Sequence, residues 1–157
     1  MQRDGVVRKL HENGVLAEEY TLVGGRVEGS IRKWHDNGVL AKDEPCVNGL
    51  AHGTVRQWNR EGKLLGEYTM TRGWGVERIW NEDGSLQMES ELLLKDPMAM
   101  RAVVYDDLGK PHMVFNWNGK PLSKTKFYER LARELEIDIA TAESFRQPIN
   151  HAVQDER

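Results

Sequence analysis

One cysteine, Cys46, stands in a chain of 157 residues. A single thiol excludes an internal disulfide framework and a cysteine-based zinc cluster. Prolines number five against fifteen glycines, a balance that points to many turns rather than to disorder. Positive charge is not in excess: the formal net charge is −3. The chain therefore carries no basic footprint for nucleic acid and no strong pull toward anionic lipid. No run of 18 apolar residues occurs, and MQRDGVVRKLHENG has no apolar signal core. The expectation is a soluble, cytoplasmic protein. A repeat opens almost at the first residue, at Gly5, which also fits a piece cut from something longer. No nucleophile elbow of the Gly-x-Ser-x-Gly kind is present, and the glycines do not form a phosphate-cradling loop.

What is present is repetition. Turn glycines fall at Gly14, Gly38, Gly62, Gly84 and Gly109, in steps of 24, 24, 22 and 25. A large apolar residue ends the strand before each turn: Leu10, Trp34, Trp58, Trp80 and Tyr105. Gly5, Gly29, Gly53 and Gly75 open the first four units, and Met100 takes that place in the fifth. Gly25, Gly49, Gly73 and Gly119 mark the links between hairpins. The block GSIRKWHDNGVLAKDEP shows the unit most fully. Its Asn37-Gly38 is a strong signal for a two-residue type I′ turn, which needs positive φ at both residues.

Counting outward from that turn sets a register. It places Trp34 opposite Ala41, and it pairs Arg32 with Asp43, an opposite-charge cross-strand pair. The same count pairs Arg8 with Glu19, Arg56 with Glu67, and Arg78 with Glu89. In the fifth unit both members become valine, Val103 and Val114, as contacting positions that change together would. Two strands per unit at a period near 24 imply an antiparallel meander in a single layer, mainly β, of about five hairpins. Such hairpins are marginal alone and must stabilise one another. The units run over about 5–28, 29–52, 53–74, 75–99 and 100–119, so the repeat sheet is expected over 1–119.

The pattern Gly-x4-Trp-x3-Gly-x-Leu with a trailing glycine resembles the MORN-variant (membrane occupation and recognition nexus) repeat. The resemblance covers about Gly5 to Gly119 and is fullest in GSIRKWHDNGVL and GTVRQWNREGKL. It implies an interaction role without a catalytic residue set. Bacterial proteins built of this repeat are commonly assigned as antitoxins, and others as protein- or lipid-binding scaffolds.

Beyond Gly119 the character changes, and 120–157 is expected to be a helical segment. Ser123 is a helix N-cap candidate. Phe127, Leu131 and Leu135 are spaced as one apolar face of a helix from about Lys124 to Glu136. Asp138 or Thr141 is placed to cap a second short helix, and HAVQDER is expected to fray. Two roles stand open for the helix: a C-terminal cap over the last hairpin, or a docking element.

Candidate chemistry is sparse. His11 and His35 hold equivalent places, yet the next units put Asn59 and Asn81 there. A polar residue flanking the turn is therefore favoured over a shared metal, and neither metal nor cofactor is expected. Arg32, Arg56 and Arg78 would share a sheet face with Trp34, Trp58, Trp80 and, in the fifth unit, Tyr105. These seven are the candidate partner-binding residues, since Trp, Tyr and Arg dominate interface hot spots. The alternative is structural: self-satisfied ion pairs and packing between hairpins. The expected function is a non-enzymatic protein–protein interaction scaffold, most specifically an antitoxin or immunity-type protein. The alternatives are an accessory subunit of a larger complex, or a lipid- or nucleic-acid-binding module; net acidity argues against lipid and nucleic acid.

Overall fold

In a computed structural model the described residues are 3–145. The terminal HAVQDER lies outside them. The fold is mainly β and built from antiparallel, hairpin-linked strands. The first unit carries β1 (Gly5–Leu10), β2 (Leu16–Val23), β3 (Arg26–Trp34), β4 (Leu40–Val47), β5 (Leu50–Ala51), β6 (Gly53–Trp58) and β7 (Leu64–Met70). They form one sheet in the order β1-β2-β3-β4-β6-β7, with β5 paired to β4. Further along come β8 (Val76–Trp80), β9 (Leu86–Lys95), β10 (Met98–Tyr105), β11 (Pro111–Trp117) and β12 (Lys120–Leu122). These run β12-β11-β10-β9-β8 in a second sheet. Helices α1 (Lys124–Leu135) and α2 (Ile139–Glu143) follow. By backbone contacts the chain divides into two compact units. One holds the chain up to Gly73 with Arg78–Leu86, and the other holds Trp74–Glu77 with the chain from Gln87 onward.

The turns differ from the type I′ expectation. In each hairpin the glycine N–H donates back three residues, as Gly38 does to His35 O at 3.0 Å. Only the glycine takes positive φ: Gly38 has φ 85°, while Asn37 is not among the positive-φ residues. The loop is thus the three-residue kind, a tight turn closed by a left-handed glycine. Asn37 serves differently, its Oδ1 accepting from Val39 N at 3.2 Å.

This longer loop offsets the register by one near the turn, so Trp34 faces Leu40 rather than Ala41. A bulge then absorbs the extra residue between Lys33 and Trp34, and Arg32 lies opposite Asp43 as counted. The first and third hairpins repeat the correction, placing Arg8 opposite Glu19 and Arg56 opposite Glu67. In the fifth hairpin no bulge intervenes and the offset persists. Val103 therefore faces Met113, and Val114 faces Ala102. The expected Val103–Val114 pair is not formed.

Each unit has its own core. In the first, Val55, Tyr68 and Met70 are buried, with Ala51 and Trp80 packed against them. In the second, α1 lays Phe127, Tyr128, Leu131 and Ala132 on Leu93, Ala99, Phe115 and Trp117. Phe115 and Phe127 ring centroids are 5.2 Å apart. Of the two roles left open for the helix, it takes that of a cap: it covers the apolar face of its own sheet. Ser123 is its N-cap, accepting from Lys126 N, and Glu136 ends it in the left-handed conformation. Asp138 caps α2 by accepting from Thr141 N.

Candidate functional site

The first sheet brings the arginine ladder together on one side. Strand alternation puts Arg8, Arg32 and Arg56 on the same face as their opposing carboxylates. Arg8 Nε lies 2.7 Å from Glu19 Oε2 and Arg56 Nε 3.1 Å from Glu67 Oε2. Arg32 Nε and Asp43 Oδ1 are 3.5 Å apart, an ion pair too long to leave that buried oxygen a hydrogen bond. The neighbouring-strand register interleaves these pairs, since Glu19 also faces Arg32 and Asp43 also faces Arg56. Each internal arginine thus has a carboxylate residue on either side. Exposed pairs of this kind contribute only about 0–1 kcal/mol each, so the ladder fixes register and presents charge.

The aromatic row divides. Trp34 and Trp58 are half-buried and follow Arg32 and Arg56 by two residues, on the ladder side. Trp80 lies on the opposite side. Its indole rests on Gly66, where an added Cβ would come within 2.2 Å of Cζ2. The Tyr68 and Trp80 centroids are 6.3 Å apart. The Gln57 side chain fixes the Trp80 backbone, donating to its carbonyl at 3.3 Å and accepting from its N–H at 3.4 Å. Trp80 is therefore core to the first unit. Arg78 is half-buried on β8. Tyr105 belongs to the second unit, where its hydroxyl donates to Glu89 Oε1 at 3.2 Å.

Adjacent hairpins are stapled through their turns. His11 Nε2 is 2.8 Å from Trp34 O, and His35 Nε2 is 2.9 Å from Trp58 O. Asn13 and Asn37 donate to Asp36 O and Arg60 O in the same way. The equivalent histidines thus each hold the next hairpin. Arg60 returns across the gap to Asp36, and its hydrogen bond and charge hold the Asp36 carboxyl below its ordinary pKa.

Sequence reasoning missed the face opposite the ladder. There Glu18 lies between Lys9, at 2.7 Å, and Lys33, at 3.5 Å. The hydrogen bond from Lys9 lowers the Glu18 pKa, burial opposes this, and Lys33 adds to the lowering. Lys42 reaches Glu44 at 2.7 Å. Burial alone would lower the Lys42 pKa, but Glu44 and Tyr68 outweigh it and the net shift is upward. These charges rim a groove of about 350 Å³ floored by Tyr20, Leu22 and Ile31. Its signal in the sequence was Lys or Glu one residue away from the ladder positions of the first two hairpins, at Lys9, Glu18, Lys33 and Lys42, which resembles any solvated strand face. Cys46 is buried beside this face, and burial pushes its thiol pKa up. It has no activated, exposed character.

The second unit holds a buried pair that the hairpin count did not reach. Arg101 donates to Glu91 Oε2 from Nε at 3.0 Å and from Nη2 at 2.7 Å. Only 12% of the Arg101 side chain and 10% of that of Glu91 are exposed. Arg101 also donates to the Tyr128 hydroxyl of α1 at 3.2 Å. A small cleft of about 170 Å³ adjoins the pair. Among the described residues no group of three or more His, Cys, Asp or Glu side chains is arranged to hold a metal ion.

Residues 3–23 match the MORN repeat variant. The matched stretch is the first hairpin, with its Arg8–Glu19 rung, and the following hairpins repeat its turn and rung at the same spacing. The match supports a MORN-repeat protein. The matched unit is the one with Leu10 at the aromatic position. No curated protein matches the chain. MORN repeats are generally associated with protein- and membrane-binding roles and are not a known enzyme family. No helix among the described residues is long and apolar enough to cross a membrane.

Proposed function

We propose that this chain is a non-enzymatic, cytoplasmic protein-binding scaffold, and that the ladder face of its first sheet is the contact surface. The observation that supports this most is the interleaved row of Arg8, Arg32 and Arg56 with its carboxylates, beside half-buried Trp34 and Trp58. Guanidinium groups held in register on the face that strand alternation also gives to two indoles suit a protein surface with complementary charge and an apolar centre. Net acidity and the one-for-one carboxylate pairing argue against a membrane or a nucleic acid as the partner.

The specific form we take forward is an antitoxin or immunity-type protein that covers and neutralises one target. Resemblance to the repeat, rather than geometry, supports that form. The test begins with tagged protein purified from its own host together with any stoichiometric companion. The companion is then expressed alone and beside this chain. Arrested growth alone and normal growth together are expected. Arg32→Gln with Arg56→Gln should weaken the complex by about tenfold or more while the thermal melt stays close to that of the parent, since exposed pairs contribute little. A companion harmless on its own removes the antitoxin form. Full binding by the double variant removes the ladder face.

A further inference from the structure

Among the described residues, the rule that orders the first sheet is incomplete at the β1 edge. Arg32 lies between Glu19 and Asp43, and Arg56 between Asp43 and Glu67. Arg8 faces Glu19 alone, because among the described residues β1 pairs with β2 and with no other strand. The Arg8 side chain is 62% exposed and that of Lys9 61%. On the other face the same holds: Lys33 faces Glu18, whereas Lys9 has Glu18 on its β2 side alone. The turns repeat the pattern. Trp34 O and Asp36 O take hydrogen bonds from His11 and Asn13 of the preceding hairpin. Leu10 O and Glu12 O hold the corresponding places in the first hairpin, with no preceding hairpin among the described residues to supply donors.

We propose that β1 is a docking edge for an antiparallel β-strand of a partner protein, and that the strand it selects carries two adjacent acidic residues. The sheet itself defines the chemistry. Where β2 meets β3, Glu18 faces Lys33 and Glu19 faces Arg32. A visiting strand in that register sets its first acid opposite Lys9 and its second opposite Arg8. Backbone hydrogen bonds along β1 supply affinity that does not depend on side chains, and the acidic doublet supplies register and selection. Leu10 and Val6, exposed on the ladder side, add apolar contact. The visiting strand belongs to a hairpin, since a polar turn residue before it would reach Leu10 O as His11 reaches Trp34 O. This site is an edge: it shares Arg8 with the ladder face proposed above but draws on none of Arg32, Arg56, Trp34 or Trp58.

The probe is a synthetic hairpin with the sequence of residues 5–24, GVVRKLHENGVLAEEYTLVG, added to the whole protein. Its second strand is the one that meets β3 inside the sheet. Hydrogen exchange should slow at the β1 amides of the protein, Val6 to Leu10, and binding should weaken as salt rises. A peptide with Glu18 and Glu19 changed to lysine should lose about tenfold or more in affinity for the unaltered protein. Arg8→Glu with Lys9→Glu in the protein should recover that reversed peptide. The proposal is overturned if the parent peptide does not bind, if it binds without protecting β1, or if the reversed peptide binds equally well. Because the peptide arm uses unaltered protein, misfolding of the double variant cannot produce a false failure. Companion binding is read separately, on variants at Arg32 and Arg56 that leave β1 unaltered, so failure of the face and failure of the edge are distinguishable.

Discussion

Gly66 stands where Glu18 and Lys42 stand in the two preceding hairpins, and Trp80 is the reason. The indole fills the space that a side chain at 66 would use. The requirement is room rather than backbone freedom, because Gly66 is not among the positive-φ glycines. Gly66→Ala should therefore lower stability by about 1–3 kcal/mol through overpacking. Trp80 fluorescence should shift in the same variant, and an unchanged melt would show that the indole moves aside freely. Arg101 makes a second demand at this scale. Its removal leaves Glu91 buried without its cation, so Arg101→Ala should destabilise by about 3–5 kcal/mol. Replacing Arg101 and Glu91 together with apolar residues should recover much of that loss, because both desolvation penalties disappear. A double variant as unstable as the single one would show that packing under Tyr128, not charge, is what Arg101 supplies.

At the scale of elements, α1 provides most of the apolar cover in the second unit. Leu131 and Phe127 are fully buried against the sheet, so Leu131→Ala should destabilise by about 2–5 kcal/mol. The change should appear in a denaturant melt as a lower midpoint. A shift of under 1 kcal/mol would mean that α1 is a loosely held docking element after all. This helix was legible because its apolar spacing, its N-cap serine and the end of the glycine pattern all agree. The hairpins were legible for a similar reason, since period, turn glycine and charge pairing repeat together. Two details were not. Asn-Gly suits both a two-residue and a three-residue loop, and only the φ of Asn37 separates them. The bulge that restores register leaves no residue signature, as Ala17, Ala41 and Leu65 hold the skipped positions. Its absence from the fifth hairpin could not be counted from the chain. The candidate surface was half legible for the same cause. Alternation puts Arg32, Arg56, Trp34 and Trp58 on one face, but Trp80 answers to an empty space 14 residues earlier in the chain, at Gly66.

At the scale of the molecule, two separate cores share one electrostatic habit: carboxylates bound tightly by N–H donors and cations. Asp4 is held below its ordinary pKa by the Gly24 and Gly25 amides, Asp36 by Arg60, and Glu18 by Lys9. In the second unit Asp106 is lowered by the Lys110 amide and by His112, and Asp138 by the Thr141 amide and hydroxyl. A depressed carboxyl stabilises the fold above its unfolded pKa, and that contribution disappears as pH falls through the folded value. The unfolded references are 3.8 for aspartate and 4.5 for glutamate. Lys9 and Lys42 have the opposite sign: their pKa values are raised, so their contribution is complete below 10.5 and is lost as pH rises above it. The urea midpoint should therefore be nearly flat from about pH 5 to 9 and decline on acidification below about pH 4.5. The four aspartates are exposed, so 1 M salt should flatten the part of the decline that comes from ion pairs while sparing the amide-bound carboxylates. Asp36→Asn should reduce the salt-sensitive part, and Asp138→Asn the salt-insensitive part. A midpoint constant down to pH 2, or an acid decline abolished entirely by salt, would show that the amide-held carboxylates do not carry the stability assigned to them.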